Sequence, residues 1–450
     1  MRRILPPNLI LLAESAPFPL YVVGGTVRDH LAGLTPKTPD FDICSPASAE
    51  IFAEFATLRG FRVKSVFKNT GTVKLQDKDK TEYEYSCFRS DKYVRGTHVP
   101  VEIYFTDDIG LDARRRDFTA NAVYYDIKAD KYVDPLDGVS AIRQKRLTTV
   151  APAEKVFGED GLRLMRLARQ AATLGFYPDD ECLLGAAQNA ALIDDISPER
   201  VFAELSAILR ADEKYGNADG AYQGLRLLEK TGVLARILPE LTKGKGMAQR
   251  ADFHKYDVLE HSLRAVKYAP PSIRLAALLH DVGKPLCTLR DGNSYNHPIE
   301  GEILAKTILH RLKAPKKTTE TVCALVRWHM YDMDCKTGEA KLRRFFVEHY
   351  SILEDLLLLK QADFSACMDD RREAPTCTRW KNLLAQMKRE GAPFALKDLD
   401  IKGTDLLALG IQSARVSDVL HKLLLHAVVL PQDNQKERLL KLAKCFENER

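Results

Sequence analysis

The stretch Val22-Val-Gly-Gly-Thr-Val-Arg-Asp-His-Leu-Ala-Gly33, followed by Asp40-Phe-Asp-Ile43, decides the fold of the first third of the chain. An apolar run ends in two glycines, helical spacing follows, and a second short strand pattern carries two aspartates. This predicts the order strand, turn, helix, strand. Glycines in such a turn let backbone N–H groups approach phosphate oxygens at the helix N-terminus. Gly24, Gly25 and Arg28, which lies one turn into the helix, are therefore candidate triphosphate contacts.

The two aspartates suggest a metal site. Alternate residues of a strand point to the same face, so Asp40 and Asp42 present two carboxylates side by side. Crowded like charges are unfavourable unless cations neutralise them, and Mg²⁺ favours carboxylates together with substrate phosphates. Two such ions are the chemistry of nucleotidyl transfer. A third carboxylate is required on a neighbouring strand, and alternation alone does not choose between Glu82 and Glu84.

Strand and helix patterns alternate to about residue 145, and the pattern after residue 151 is almost wholly helical. The predicted strands are 19–23, 40–43, 62–66, 71–75, 82–88 and 101–105, with a hairpin at 123–127 and 131–133. The predicted helices include 26–34, 48–58, 160–174 and one that starts at Pro198. The glycine-rich, basic segment 242–246 is a predicted linker. This order predicts an α+β protein, in which a mixed sheet with helices precedes an all-helical region.

Two basic segments supply further candidates. Three consecutive arginines lie in the segment 111–122, where Arg116 and Asn121 are candidate nucleotide contacts because arginine suits bidentate phosphate binding. Asp160, Arg163 and Arg166 recur at i,i+3 spacing, so on a helix they lie along one side. A carboxylate beside an arginine offers acceptors next to donors, which matches the Watson–Crick edge of an unpaired base. A solvated basic face and a surface ion pair are the alternatives that these charges leave open.

Histidines and aspartates cluster in the helical region. The candidates are His254, His261, His280, Asp281, His297, His329 and Asp363. Adjacent His280-Asp281 inside an apolar helix indicates a bound or paired charge, because a buried charge must be paired or coordinated. Imidazoles with carboxylates suit Ni, Mn, Zn or Fe. A metal here can activate water for phosphoester hydrolysis.

Bulk properties limit the class of protein. A chain of 450 residues with 45% apolar and 29% charged residues fits two to four globular domains. The net charge of +5 permits nucleic-acid binding without demonstrating it. No apolar run approaches the roughly 20 residues of a bilayer span, and prolines interrupt the N-terminal apolar run. Nine cysteines without a C-x-x-C pair indicate reduced thiols, so we expect a cytoplasmic protein without a membrane partner.

The motifs resemble those of class II tRNA nucleotidyltransferases, the CCA-adding enzymes. The matching segments occur in that family's order: Gly24-Gly-Thr-Val-Arg-Asp, Asp40-Phe-Asp, Arg115-Arg-Asp-Phe-Thr-Ala-Asn-Ala, Asp134-Pro-Leu-Asp-Gly, Glu159-Asp-Gly-Leu-Arg-Leu-Met-Arg and Ser197-Pro-Glu-Arg-Val. The resemblance covers residues 18–240 and implies a polymerase-β-like head followed by a helical neck, body and tail. It also implies addition of CCA to the tRNA 3′ end from CTP and ATP, with Mg²⁺ in the head.

The resemblance assigns roles to residues. Asp40 and Asp42 would bind the metals with Glu84, which it favours over Glu82. Asp160 and Arg163 would act as a protein template for CTP and ATP, and Glu159 would orient Arg163.

The helical cluster resembles the HD phosphohydrolase domain, which several nucleotidyltransferases of this class carry. The resemblance rests on His261, His280, Asp281 and Asp363, and His297 and His329 occupy positions where ligands of a second metal occur. The expected organisation is therefore a catalytic head at 1–145, a nucleotide-reading neck at 146–245, an HD-type domain at 246–370 and a tRNA-contacting tail at 371–450.

The sequence departs from the family pattern in one turn, and several activities stay open. Asp137 occupies the first of two positions that are usually glycine, and the lysine-rich segment 76–81 is expected to be part of a flexible loop that influences CCA completion. We predict CCA addition. The alternatives are a poly(A) polymerase, a CC-adding or A-adding tRNA nucleotidyltransferase, an HD metallohydrolase with an RNA-binding head, and a non-catalytic RNA-binding protein.

Overall fold

The computed structural model describes residues 1–36, 40–94 and 100–448. The chain divides into two compact units, Met1–Thr242 with His310–Ala314 and Lys243–Leu309 with the chain from Pro315 onward. The division falls at the glycine-rich segment 242–246. The finer division into four domains stays a prediction.

The first unit contains a mixed sheet. Within the described residues, the strands are β1 (Tyr21–Val23), β2 (Phe41–Ser45), β3 (Arg62–Phe67), β4 (Thr72–Gln76), β5 (Glu82–Cys87), β6 (Arg89–Lys92), β7 (Glu102–Phe105), β8 (Tyr124–Asp126), β9 (Lys131–Val133), β10 (Arg146–Leu147) and β11 (Tyr177–Pro178). Seven of them form one sheet in the order β3-β4-β5-β2-β1-β8-β9. Only the β2–β5 pair is parallel, and the other pairs of this sheet are antiparallel.

Helices cover this sheet and continue to the end of the unit. Up to residue 242 they are α1 (Pro7–Ser15), α2 (Gly25–Leu31), α3 (Ala49–Leu58), α4 (Ile109–Arg114), α5 (Gly138–Arg143), α6 (Ala153–Glu159), α7 (Leu162–Leu174), α8 (Asp180–Gln188), α9 (Pro198–Leu209), α10 (Asp212–Tyr215), α11 (Gly220–Lys230), α12 (Val233–Ile237) and α13 (Pro239–Thr242). Local signals set their ends. The Ser48 hydroxyl accepts from the Ile51 N–H at the start of α3, and Pro198 occupies the first turn of α9.

Aromatic packing fixes α3 on the sheet. The Phe52 ring of α3 stacks on the Tyr85 ring of β5, with centroids 3.6 Å apart, and both side chains are fully buried. Burial of two such side chains contributes several kcal/mol of hydrophobic stabilisation. Tyr85 belongs to the strand that carries Glu84, so this contact also holds the position of that carboxylate.

The chain from residue 243 onward is helical in the residues that the structure describes. Its helices are α14 (Val258–Tyr268), α15 (Arg274–Leu279), α16 (Lys284–Asp291), α17 (His297–Arg311), α18 (Lys316–Trp328), α19 (Glu339–Glu348), α20 (Leu353–Met368), α21 (Pro375–Arg389), α22 (Gly403–Ala408), α23 (Ser413–Ala427) and α24 (Lys436–Asn448). Helix α14 packs against α15 and α20, and α15 also packs against α18. His261 and Asp363 lie on α14 and α20, and His280, Asp281 and His329 directly follow α15 and α18. His297 is the first residue of α17, and His254 precedes α14. Within the described residues, none of the helices has the length and apolar character that a bilayer span requires.

Three sequence expectations differ from the structure. Asp160 does not lie on the predicted helix 160–174, because the chain is extended at this residue (φ −143°, ψ 107°) and α7 begins at Leu162. The predicted strand 101–105 does not join the main sheet but pairs with β6, which the pattern did not predict. The segment 77–81, expected to be part of a flexible loop, is a hydrogen-bonded turn between β4 and β5, where the buried Asp77 accepts from the backbone N–H groups of Asp79 and Thr81. Its influence on CCA completion stays a prediction.

The turn before α5 yields a prediction about its glycine. A Cβ at Gly138 would lie 2.2 Å from the Thr119 carbonyl oxygen, whereas Asp137 adopts the left-handed conformation (φ 55°) that glycine usually supplies. Overpacking costs about 1–3 kcal/mol, so we expect Gly138→Ala to lower the free energy of unfolding by that amount. Asp137→Gly should change it by less than about 1 kcal/mol. Urea unfolding followed by circular dichroism measures both changes.

A control is available at Gly158, where an added Cβ would meet no described atom closer than Asn189 Oδ1 at 3.6 Å. Gly158→Ala should therefore unfold at nearly the wild-type urea concentration. An equal loss of stability in Gly138→Ala and Gly158→Ala would contradict the steric explanation.

Candidate functional site

The Gly24-Gly25 turn brings backbone close to a carboxylate. Gly24 has φ 79° and ψ −138°, a conformation that residues with a side chain rarely adopt, and a Cβ there would lie 3.1 Å from Asp42 Oδ2. Gly25 is the first residue of α2, whose N-terminal N–H groups are available to an anion. The Thr26 hydroxyl donates to the Asp40 carbonyl oxygen and ties this turn to the start of β2. The predicted phosphate contacts and the carboxylates therefore lie at the same end of the neighbouring strands β1 and β2.

Strand register places three carboxylates together. Asp42 lies opposite Glu84 in the parallel β2–β5 pair, and Asp40 immediately precedes β2. Glu82 lies next to Lys64, with which it forms an exposed ion pair. Strand alternation alone does not choose between Glu82 and Glu84 as the third carboxylate. The register does, because it places Glu84 beside Asp42. The role of Glu84 stays a prediction.

Asp42 is a mostly buried carboxyl with acidic neighbours. Burial and then the charge of Asp40 raise the pKa of Asp42 to about 6, with a further rise from Glu84, while Arg116 and Arg166 act in the opposite direction. The two arginines thus compensate only a fraction of the unfavourable charge. A divalent cation held by Asp40, Asp42 and Glu84 would complete the compensation, so the donor set fits Mg²⁺.

The predicted arginines are held by buried carboxylates that the sequence reasoning missed. The Arg28 guanidinium donates to Asp29 and, at 2.7 Å, to Asn121 Oδ1. Arg116 donates to Asp112 Oδ2 at 3.1 Å. Although burial alone would raise it, Arg116 and Arg115 lower the pKa of Asp112 to about 2.

Asp117 has the same role as Asp112. It pairs with Arg166 at 2.7 Å and accepts from the Asn121 amide at 2.9 Å. Although its complete burial would raise it, Arg166 holds the pKa of Asp117 below its usual range. The available signal for Asp112 and Asp117 was their spacing around three arginines, since buried cations require partners.

The predicted base-reading residues lie on two elements. Arg163, in the first turn of α7, is buried and donates to Glu159 Oε2 at 2.9 Å, to the Val156 carbonyl at 2.9 Å and to the Arg115 carbonyl at 3.0 Å. Asp160, in the extended connection before α7, accepts from the Leu162 N–H at 2.9 Å. The contact between Glu159 and Arg163 that the resemblance implies is therefore present. This contact uses some of the N–H donors of Arg163 and fixes the plane of its guanidinium group.

One cleft of about 870 Å³ collects most of these side chains. The predicted residues that line it are Gly24, Gly25, Arg28, Asp40, Asp42, Arg116, Asn121, Asp160, Arg163 and Arg166. Glu84 and Glu159 are outside this lining; Glu84 lies opposite Asp42 on the neighbouring strand, and Glu159 accepts from Arg163. Basic side chains outnumber acidic ones nine to six, which favours an anionic ligand. Among the lining residues that the sequence reasoning missed are Tyr93, whose ring lies 5.5 Å from the Arg163 guanidinium, and Lys214.

The second unit contains two buried groups of metal-ligand type. The first consists of His261, His280 and Asp363, with 3.1 Å between the two Nε2 atoms and 3.0 Å between His261 Nε2 and Asp363 Oδ1. The second consists of Asp281, His297 and His329, with 3.1 Å between the histidine Nε2 atoms. All of the HD-type residues predicted from the sequence are thus brought together.

Asp281 connects the two groups. Its Oδ2 lies 3.3 Å from His280 Nε2, and its Oδ1 lies 3.2 Å from His297 Nε2. Lys284 Nζ also approaches Oδ2, at 2.7 Å. A carboxylate with one oxygen toward each group can serve two metal ions at once.

Most of the histidines are oriented by backbone. His280, His297 and His329 each place Nδ1 within 2.6–2.8 Å of a carbonyl oxygen three residues earlier, which leaves Nε2 for the shared centre. This is the outer-shell contact expected of metal-binding imidazoles. Although burial alone would lower it, Asp281 and Asp363 raise the pKa of His280 to about 10, so a proton on His280 offsets the buried carboxylates. A divalent cation would replace that proton, and the donor set fits one.

Family models match segments in both units of the chain. Residues 20–148 match the family "Poly A polymerase head domain", residues 175–245 match "Probable RNA and SrmB- binding site of polymerase A", and residues 258–363 match "HD domain". The chain is 32% identical over 372 residues to the A-adding tRNA nucleotidyltransferase of Deinococcus radiodurans, covering 78% of this chain and 77% of that protein. It is 28% identical over 442 residues to the Multifunctional CCA protein of Burkholderia multivorans, covering 91% and 98%.

Solved structures share the fold. The Bacillus stearothermophilus CCA-adding enzyme in complex with CTP superposes with a TM-score of 0.68 at 24% identity, covering 98% of each chain. The Thermotoga maritima CCA-adding enzyme complexed with tRNA_CCA superposes with a TM-score of 0.61 at 16% identity, covering 98% of this chain and 96% of that one. At these identities the likeness concerns the fold.

The raised pKa of Asp42 predicts an unusual pH dependence of stability. Ionisation of this carboxyl is disfavoured in the folded state, so its contribution to stability is present below pH 4 and is lost as the pH rises through about 6. In EDTA at pH 8 we expect Asp42→Asn to be more stable than wild type by on the order of 1–3 kcal/mol. The difference in stability between Asp42→Asn and wild type should disappear below pH 4. Calorimetric unfolding from about pH 2 to pH 8 measures this difference in the free energy of unfolding.

Asp112→Asn is the matched control, because the pKa of Asp112 is lowered rather than raised. It should be less stable than wild type at pH 8, with a gap that narrows as the pH falls toward 2. An Asp42→Asn protein less stable than wild type at pH 8 without metal would contradict the electrostatic description.

Proposed function

Since the chain belongs to the tRNA nucleotidyltransferase family, we propose that it adds or repairs the 3′-terminal CCA of tRNA from CTP and ATP without a nucleic-acid template. The observation that carries this proposal is a single cleft that joins the carboxylates Asp40 and Asp42 to the acceptor–donor pair Asp160 and Arg163. The first pair suits phosphoryl chemistry, and the second suits the edge of a base. Neither feature alone specifies both halves of the reaction.

The head residues have separable tasks. Asp40, Asp42 and Glu84 would hold two Mg²⁺ ions, which supply activation of the tRNA 3′-hydroxyl and neutralise charge at the α-phosphate. The Gly24-Gly25 backbone and the Arg28 guanidinium hold the triphosphate. Because Arg28 is fixed by Asp29 and Asn121, it meets the phosphates in a set orientation.

Selection of C and A follows from hydrogen-bonding chemistry. Cytosine and adenine both present an amino donor beside a ring-nitrogen acceptor on the Watson–Crick edge, and guanine and uracil present the reverse pattern. The Asp160 carboxylate accepts from the amino group, and Arg163 donates to the ring nitrogen. Three of the five N–H donors of Arg163 are engaged by Glu159, Val156 and Arg115, which leaves two for the base.

The helical unit supports a second activity, metal-dependent phosphoester hydrolysis. His261, His280, Asp281 and Asp363 would hold one divalent transition metal, Ni, Mn, Zn or Fe, and Asp281 with His297 and His329 a second. Such a metal supplies an activated water molecule. The supporting observation is the bridging position of Asp281 between the two buried groups.

The partner surfaces follow from charge and shape. The tRNA acceptor stem would contact basic helical surface through phosphates, and residues 371–450 would contribute to this contact. The cytoplasm is the compartment we assign, because all nine cysteines are free thiols and tRNA is the substrate. A-addition alone is a second candidate, favoured by the Deinococcus radiodurans relative.

Product length distinguishes these activities. Purified protein with Mg²⁺ is incubated with tRNA that ends before CCA or after CC, and CTP and ATP are supplied separately and together. Full CCA addition predicts two cytidines from CTP alone and completion only when ATP is present. Asp42→Ala should slow transfer on the order of a thousandfold, since a metal ligand contributes several kcal/mol. Gel electrophoresis of labelled tRNA resolves every product.

Each alternative gives a different result. An A-adding enzyme extends only the tRNA that ends in CC, a CC-adding enzyme never uses ATP, and a poly(A) polymerase makes long tails from ATP alone. An HD metallohydrolase with an RNA-binding head would hydrolyse a chromogenic phosphodiester, and His280→Ala would abolish this activity. Such a protein would show no nucleotidyl transfer, so Asp42→Ala would leave its activity unchanged. Asp107→Ala, at an exposed aspartate of the same unit, is the control for general effects.

Base reading gives a separate prediction. In Asp160→Asn an amide replaces the carboxylate. The amide NH₂ group donates hydrogen bonds, whereas both carboxylate oxygens only accept them. We expect kcat/KM for CTP and ATP to fall about tenfold or more while that for UTP or GTP rises relative to them. Steady-state kinetics with all four nucleotides measures the ratio. Equal losses for all four nucleotides would show that Asp160 does not read the base.

A further inference from the structure

A third group of metal-ligand type lies beside the HD-type centre. It consists of His254, His261 and Cys367, and their ligand atoms all lie within 4.8 Å of one another. His261 is fully buried, and the His254 and His261 rings are 5.0 Å apart in an edge-to-face arrangement. Neither His254 nor Cys367 has a role in the transfer reaction or in the two groups that Asp281 connects.

The fold holds these residues in place. Cys367 lies one helical turn after Asp363 on α20, so both side chains project from the same side of that helix. The Lys255 N–H donates to the Cys367 carbonyl at 2.9 Å, and the Tyr256 hydroxyl donates to Asp369 just beyond α20. The segment that carries His254 is therefore held to the end of α20 at the cysteine itself and two residues after it.

Two ring nitrogens in this group lack hydrogen-bond partners. His261 presents Nε2 to His280 and Asp363, but among the described residues its buried Nδ1 has no hydrogen-bond partner, and neither does Nδ1 of His254. His280, in contrast, directs Nδ1 to a backbone carbonyl. A buried polar atom without a partner costs about 1–3 kcal/mol, so these nitrogens point to a missing ligand.

We propose that His254, His261 and Cys367 form an additional metal site that binds Zn²⁺ in tetrahedral coordination with one open position. Two imidazoles and a thiolate are borderline-to-soft ligands that favour zinc, whereas each neighbouring group has two imidazoles and a carboxylate. Binding releases the thiol proton of Cys367 to solvent and leaves the thiolate sulfur as ligand. Where His261 Nε2 also binds a metal of the HD-type centre, zinc at Nδ1 releases the imidazole proton as well, and the imidazolate ring joins the two ions. The open position is available to water or to a phosphate oxygen. The site goes beyond the proposed function and does not depend on hydrolysis at the HD-type centre.

Cobalt(II) is the probe, because a thiolate ligand gives it a near-ultraviolet charge-transfer absorption that imidazole and carboxylate ligands do not. Full-length protein stripped of metal is titrated with Co²⁺ and then with Zn²⁺. We expect a thiolate band that appears with cobalt and disappears as zinc displaces it. Cys367→Ser should abolish the band and retain the cobalt bound elsewhere. His254→Gln should weaken cobalt binding at the thiolate about tenfold or more.

Three controls make the outcome decisive. Cys323→Ser, at another buried cysteine of the same unit, should keep the band, and so should His297→Ala, which alters only the Asp281 group. Transfer to tRNA should be unchanged in Cys367→Ser, so failure of this inference is distinguishable from failure of the proposed function. Absence of the band in wild type, or its survival in Cys367→Ser, would overturn the proposal. If Cys367→Ser loses its far-ultraviolet dichroism, His254→Gln decides, and unchanged cobalt affinity in that variant would also overturn it.

Discussion

A carboxylate removed from water must be paired with positive charge, and this constraint organises both sites of the protein. In the head, Asp112 and Asp117 take guanidinium partners, and the ion pairs hold Arg116 and Arg166 over the cleft. Asp42 differs because its neighbours Asp40 and Glu84 are acidic. The same physical rule thus produces two kinds of acid in the head: Asp112 and Asp117 position arginines, and Asp42 keeps a raised pKa that a proton or a bound cation would offset.

In the helical unit the rule has another solution. Asp281 and Asp363 are buried among imidazoles, which can either carry a proton or coordinate a metal. Three of these histidines are held through Nδ1 by backbone carbonyls, so their Nε2 atoms are aimed before any ligand arrives. This preorganisation lowers the cost of assembling a centre. His261 is the exception, because its buried Nδ1 has no hydrogen-bond partner among the described residues.

Sequence patterns predicted much of this arrangement because they report local geometry. The strand–turn–helix order around Gly24 and the i,i+3 relation of Arg163 and Arg166 on α7 depend only on near neighbours. Register could not be read in this way: Glu84 was preferred over Glu82 by resemblance, and the parallel β2–β5 pair supplied the physical reason. Asp160 was placed in the right cleft on the wrong element, because helical spacing continues across the extended residue before α7. Asp112 and Asp117 were missed because their burial depends on tertiary packing.

One short segment, residues 112–121, connects chemistry to base selection. Arg116 within it lowers the charge cost at Asp42, Asn121 orients Arg28, and the Arg115 carbonyl accepts from Arg163. Arg163, the proposed base-reading residue, is thus hydrogen-bonded to the same segment whose Arg116 lowers the pKa of Asp42. A displacement of this segment alters phosphate binding and the Arg163 plane together, since a misplacement of about 1 Å is enough to cost a hundredfold in rate. The residues proposed to select the base and those proposed to carry out transfer are therefore not independent modules, although they lie on different elements of the unit.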